Sequence, residues 1–224
     1  MERRTLMMSG AAAALATLGT SQRQWFTAGS PDTSHLTPMA PRAAQARPGS
    51  LPAAPKEQPQ LVKEALAALD SHGRMVRHHD RVAIVDFSAP SSKPRLQILD
   101  VASGKTTEFL VAHGSGSDPR HTGFLQRFSN EPNSNASSKG AFVTANYYVG
   151  KHGRSQRLLG LDPTNNNALD RAIVLHGAWY ANADMIPAHG KLGRSQGCFA
   201  VGERELARVF DLMGEGRMIY AARV

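Results

Sequence analysis

A mainly β domain, built as an antiparallel sandwich or barrel with short helices and preceded by a disordered N-terminal linker, is the fold this sequence predicts. Three observations carry the expectation. Short runs rich in Val, Ile, Leu, Phe and Tyr recur from Val82 to the end of the chain. Gly, Pro, Ser and Asn separate them at close intervals. Only Gln60–Leu69 and Glu203–Met213 space their apolar residues as a helix does. The 224 residues are 41% hydrophobic, enough for one ordinary core plus extensions.

The elements follow in order. Arg3-Arg4 precede a run from Leu6 to Leu18 that is apolar or small almost throughout, and no acidic residue lies between Glu2 and Asp32. This pattern reads as a signal peptide over residues 1–20, its arginine pair resembling the twin-arginine form, and predicts an exported protein. Residues 1–60 then hold seven of the thirteen prolines, mixed with Ala, Ser and Gln. A Pro/Ala-rich linker is therefore expected over 21–60, because such a composition buries too little apolar surface to offset its ordering entropy. A helical lead-in over 61–79 carries Leu61, Val62, Ala65, Leu66 and Leu69 on one stripe.

From residue 80 the period shortens. Val82–Phe87, Arg95–Val101 and Thr107–Ala112 read as strands, and residues 113–139 as a long polar loop. Strand signals resume at Ala141–Ala145, Tyr147–Val149 and Arg157–Leu161. Arg171–His176 follows as an apolar run ending in histidine. The 203–213 helix and a last strand, Met218–Ala222, close the domain. The main folded body is thus expected over 80–224.

Composition narrows the chemistry. One cysteine excludes an internal disulfide framework and four-cysteine zinc modules. No apolar run reaches the roughly 18 residues of a membrane span, so no stable span is expected after signal cleavage. With 26 basic and 18 acidic residues the formal charge is +8. The basic residues are dispersed and aromatics few, so no nucleic-acid partner is expected; an anionic polymer suits the charge.

The lone thiol, Cys198, sits in Gly193-Arg-Ser-Gln-Gly-Cys198, a loop composition rather than a core strand. Gly197 permits close backbone approach, and Arg194 favours thiolate over thiol. A nucleophilic thiol benefits from a base within hydrogen-bond reach. Five of the nine histidines stand in His-Gly pairs, and only His113 and His176 end a predicted strand. His176 is the better placed, one irregular loop before Cys198, with the Gly177 carbonyl accessible to its second nitrogen. For His72, His152 and His189 a simple turn is the expected role.

His176-Gly177 followed by Ser195-x-Gly197-Cys198 resembles the signature of the L,D-transpeptidases of bacterial cell walls, the YkuD-type catalytic domain. Val111-Ala-His-Gly114, Phe128-Ser-Asn130, Tyr148-Val-Gly150, Arg157–Leu161 and Gly190-Lys-Leu-Gly-Arg-Ser195 extend the likeness to the murein L,D-transpeptidase branch. The resemblance implies a YkuD-type β-sandwich or barrel, peptidoglycan stem peptides as substrate, and a periplasmic or cell-wall location. It implies Cys198 as nucleophile, His176 as base and the Gly177 carbonyl as its orienting group. It also implies Gly197 and Cys198 N–H groups as the oxyanion hole, with Ser195 supporting the loop. No metal or organic cofactor is implied. Arg194, Trp179 and His113 are candidate substrate contacts, the last with the 113–139 loop as a groove wall or in a purely structural role. Gln196 and Ala200 depart from the commoner motif and leave the acyl acceptor open. Trimming of the same peptides by an L,D-carboxypeptidase, a non-catalytic wall-binding module and a zinc hydrolase built on His113, His121, His176, His189 and Cys198 are the alternatives.

Overall fold

The computed structural model describes residues 59–224. The expected signal peptide and linker, apart from the last two linker positions, lie outside the described residues. The first helix, α1 (Pro59–Ser71), takes in those two positions. Pro59 occupies its first turn, where a missing N–H leaves no bond unmade. Leu61, Ala65 and Leu69, spaced by four, form its buried stripe.

Eight strands form one sheet. They are β1 (Arg81–Asp86), β2 (Leu96–Asp100), β3 (Thr106–Phe109), β4 (Gly140–Gly150), β5 (Gly153–Gly160), β6 (Val174–Gly177), β7 (Phe199–Val201) and β8 (Met218–Ala222). Their spatial order is β3-β2-β1-β8-β4-β5-β6-β7. Beyond β3, Ala112 bridges Ala200 of β7, its N–H donating to the Ala200 carbonyl at 2.8 Å. The two ends of the sheet thereby meet, which gives the barrel-like closure the short strands predicted.

The expectation of antiparallel pairing holds for most neighbours and fails for two. β1 runs parallel to β8, and β6 parallel to β7. Parallel neighbours need a long crossover, and residues 178–198 supply one between β6 and β7. That crossover contains α2 (Met185–His189), which the sequence pattern did not reveal.

Both faces of the central strands are covered. In β1, Ala83 and Val85 face the core that includes Phe87, Phe142 and Phe199, whereas Val82 and Ile84 face α1. This is why the segment reads as a continuous apolar run rather than an alternating one. α3 (Leu206–Met213) covers the first core with Val209, Phe210 and Met213. No helix among the described residues is long and apolar enough to cross a membrane.

Candidate active site

Strand register builds the site. Tyr148 of β4 pairs with Ser155 of β5, Ser155 with His176 of β6, and His176 with Ala200 of β7. His176 therefore sits in a row of backbone ladders that fixes its Cα, and Cys198 immediately precedes the neighbouring strand. Both residues line one cleft of about 270 Å³, together with Tyr148, Lys151, His152, Arg171, Tyr180 and Arg194. A larger cleft of about 370 Å³ by Glu108, Asp184 and Arg208 contains neither thiol nor imidazole, so it does not carry this chemistry.

The His176 ring is 1% exposed. Its Nδ1 lies 2.9 Å from the Gly177 carbonyl oxygen. A carbonyl only accepts, so Nδ1 carries the proton and Nε2 is left with the lone pair in the neutral ring. Burial holds the imidazole below its ordinary value; the Gly177 bond opposes this, and His152 and Lys151 reinforce it. The ring is thus a neutral base at neutral pH. His152, expected to do no more than turn the chain, stacks on it, with centroids 4.4 Å apart.

Cys198 is 7% exposed. Burial pushes its thiol up, against the N–H groups of Val174 and Cys198 and the cations of Lys151 and Arg171. The resting sulfur is a thiol, and its weak contact is to the Ala172 carbonyl at 3.5 Å. This corrects the expectation that Arg194 holds a thiolate. The Arg194 guanidinium lines the cleft but donates to the Asp118 and Pro119 carbonyls, the latter at 3.2 Å. Arg171 is the guanidinium that acts on the sulfur, and sequence reading missed it. It donates to the Ser129 carbonyl at 2.8 Å and the Ser138 hydroxyl at 2.6 Å, and so ties the 113–139 loop to the thiol.

The loop before the cysteine is locked by Ser195. Its hydroxyl donates to the Cys198 carbonyl at 2.7 Å and accepts the Gly197 N–H at 3.1 Å. Its backbone joins the 113–115 segment in both directions, Ser195 N–H to the His113 carbonyl and Ser115 N–H to the Ser195 carbonyl. The Gly197 N–H is therefore engaged within the loop and does not face an oxyanion, contrary to expectation. Gly197 instead supplies a turn at φ +114°, where an added Cβ would meet the Ala136 carbonyl at 2.8 Å.

Two further candidates lie elsewhere. His113 is 1% exposed and does not line the cleft. Its Nδ1 accepts from the buried Arg95 guanidinium at 2.7 Å, and its Nε2 stands 3.5 Å from Asp118, too far for a good bond. Burial and the Arg95 charge lower its value to about 4, so it is a neutral structural ring beneath the cysteine loop. Trp179 is 65% exposed beside Tyr180 but outside the cleft. The 113–139 loop does form a wall, though of an adjoining cleft of about 250 Å³. Pro132, Asn133 and Asn135 line it, and it shares Arg171, Ala172 and Gln196 with the thiol cleft. Among the described residues, no three His, Cys, Asp or Glu side chains converge as a metal set.

A family model for the YkuD-type L,D-transpeptidase catalytic domain matches residues 53–222. No curated protein matches the chain. Among solved structures, an L,D-transpeptidase from Xylanimonas cellulosilytica is 16% identical, with a TM-score of 0.38, over 70% of this chain and 68% of that one. An L,D-transpeptidase from Mycobacterium smegmatis is 11% identical, with a TM-score of 0.39, over 64% and 58%. One from Stackebrandtia nassauensis is 12% identical, with a TM-score of 0.37, over 73% and 66%. The chain thus spans less than two thirds of the mycobacterial protein.

Proposed function

This chain belongs to the L,D-transpeptidase catalytic domain family, and we propose that it transfers peptidoglycan stem peptides through a thioester on Cys198. The observation that carries the reading is the placement of the single cysteine and His176 in one cleft, with the His176 Nδ1 proton committed to Gly177. That commitment leaves Nε2 as the acceptor for the thiol proton.

The reaction starts from two neutral groups. As the sulfur attacks the carbonyl before the terminal D-amino acid, His176 takes the thiol proton. The tetrahedral oxyanion is held by the N–H of Cys198 itself. One such donor is worth about 3 kcal/mol. Collapse breaks the amide bond, His176 returns the proton to the leaving amine, and a thioester remains. An acceptor amine then attacks the thioester, gives a proton to His176, and releases a new amide with the thiol restored. Formation and resolution of the thioester balance without metal or redox chemistry.

Two clefts that meet along Arg171, Ala172 and Gln196 offer separate room for a donor and an acceptor peptide. This favours cross-linking over trimming by water, since an acceptor needs a second bound strand. We place the domain outside the cytoplasm, on the cell wall, on the strength of Arg3-Arg4 and the apolar run after them.

Product analysis with purified tetrapeptide muropeptides tests the reading. The wild type should yield cross-linked dimers, and Cys198→Ala none. Tripeptide alone would assign trimming, and activity surviving in Cys198→Ala would refute the thiol mechanism.

A further inference from the structure

The thiol cleft is basic and holds no carboxylate: Lys151, His152, Arg171, His176 and Arg194 line it, and no Asp or Glu does. Most cations on this side of the molecule are already engaged. Arg171 is bound by the Ser129 carbonyl and the Ser138 hydroxyl, and Arg194 by two carbonyls of the 113–139 loop. Arg157 lies over the Tyr148 ring at 4.3 Å, and Arg154 over Tyr147 at 5.0 Å. Lys151 differs. Among the described residues no carboxylate pairs with it.

The hairpin holds Lys151 at the cleft. Gly150 of β4 and Gly153 of β5 are paired, so Lys151-His152 is a two-residue turn, with Gly153 at φ +70°. The turn is short and anchored by the stack of His152 on His176. An ammonium at such a tip stands at the cleft that both reacting groups, Cys198 and His176, also line. A cleft of one sign with no internal counter-charge attracts and orients an anion.

We infer that Lys151 is a carboxylate-binding subsite, which selects acyl donors bearing a free carboxylate next to the scissile bond. The inference rests on the acyl-transfer reading above. Two carboxylates of a stem peptide have this chemistry: the terminal one on the leaving residue, and the side-chain one on the residue that becomes the thioester. Binding has a further consequence. A carboxylate on Lys151 neutralises the charge that weakens His176 as a base, so the base strengthens when a correct donor is seated.

The test uses the full chain as wild type, Lys151→Ala and Lys151→Arg. Each is given three tetrapeptide donors: unmodified, amidated at the third residue's side-chain carboxyl, and amidated at the terminal carboxyl. A charge-assisted bond of this kind is worth about tenfold or more in affinity. Lys151→Ala should raise KM for the unmodified donor about tenfold, with the loss falling on KM rather than kcat, and Lys151→Arg should recover most of it. Amidation of the carboxylate that is read should cost the wild type as much, and Lys151→Ala nothing further; the donor showing this identifies which carboxylate it is. Equal losses of Lys151→Ala on all three donors, or no loss, overturn the inference. Donor binding to Cys198→Ala, with and without Lys151→Ala, separates the two readings. Lys151-dependent binding without wild-type turnover defeats the acyl-transfer reading and keeps the subsite. Lys151-independent binding with wild-type turnover does the reverse, and no binding at all defeats the subsite.

Discussion

His152 lies against the face of His176, their ring centroids 4.4 Å apart and their planes inclined by 24°. The contact buries the base and places a second titratable ring on it. Both effects disfavour the imidazolium, alongside the nearby Lys151 charge. His152→Ala relieves both, so the acid limb of kcat/KM should move upward toward pH 6.5, the ordinary histidine value. His152→Phe keeps the cover and removes only the charge, so its limb should move up by less. A pH–rate profile unchanged in both variants would show that the stack does not tune the base.

The thiol state gives a second prediction. Burial raises Cys198 above its ordinary value of 9.0. Carboxamidomethylation by iodoacetamide should therefore climb through and beyond pH 9, with no plateau between pH 5 and 8. Arg171→Met removes a cation facing the sulfur and should move the climb to still higher pH. A plateau at neutral pH would mean a standing thiolate–imidazolium pair.

Gly197 carries a steric prediction. At φ +114° any side chain is strained, and a Cβ there would meet Ile173 Cδ1 at 2.7 Å and the Ala136 carbonyl at 2.8 Å. Gly197→Ala should lower stability by about 1–3 kcal/mol and reduce kcat, because the displaced loop carries Cys198. Thermal denaturation and steady-state rates check the two parts separately.

Acid should loosen the domain through His113. Its folded-state value is lowered from 6.5 to about 4 by burial and by Arg95. Between those values the unfolded chain binds the proton and the folded chain does not, so stability is lost as pH falls from about 6.5 toward 4. The loss from this one buried ring is on the order of 3 kcal/mol. His113→Asn, neutral throughout, should flatten that part of the curve of unfolding free energy against pH. An unchanged slope would mean that other groups carry the acid sensitivity.

What the sequence made legible follows from range. The proposed roles of Cys198 and His176 rest on local pattern: a thiol after a Gly-rich turn, and a histidine at the end of an apolar run. The strands of the central sheet were equally plain, because burial on both faces makes β1 and β8 continuously apolar. β7 was not, since it has three residues and no room for a period. Nor were Arg171 and His152. Their roles depend on Ser129, Ser138 and His176, which are distant along the chain and brought near only by the closed sheet. For His113 the same limit left a groove contact and a structural role both open. Its strand-end position was readable, but its burial depends on Arg95 arriving from beside β2. The parallel pairing of β6 with β7 was hidden because no turn signal distinguishes a crossover from a long loop.

The most direct measurement of the central claim is the intact mass of the protein during turnover of a tetrapeptide donor. An adduct equal to the donor less its terminal amino acid should accumulate on the wild type when acceptor is withheld, disappear when acceptor is added, and never form on Cys198→Ala. Turnover by Cys198→Ala, or the same adduct on that variant, would contradict a thioester on Cys198.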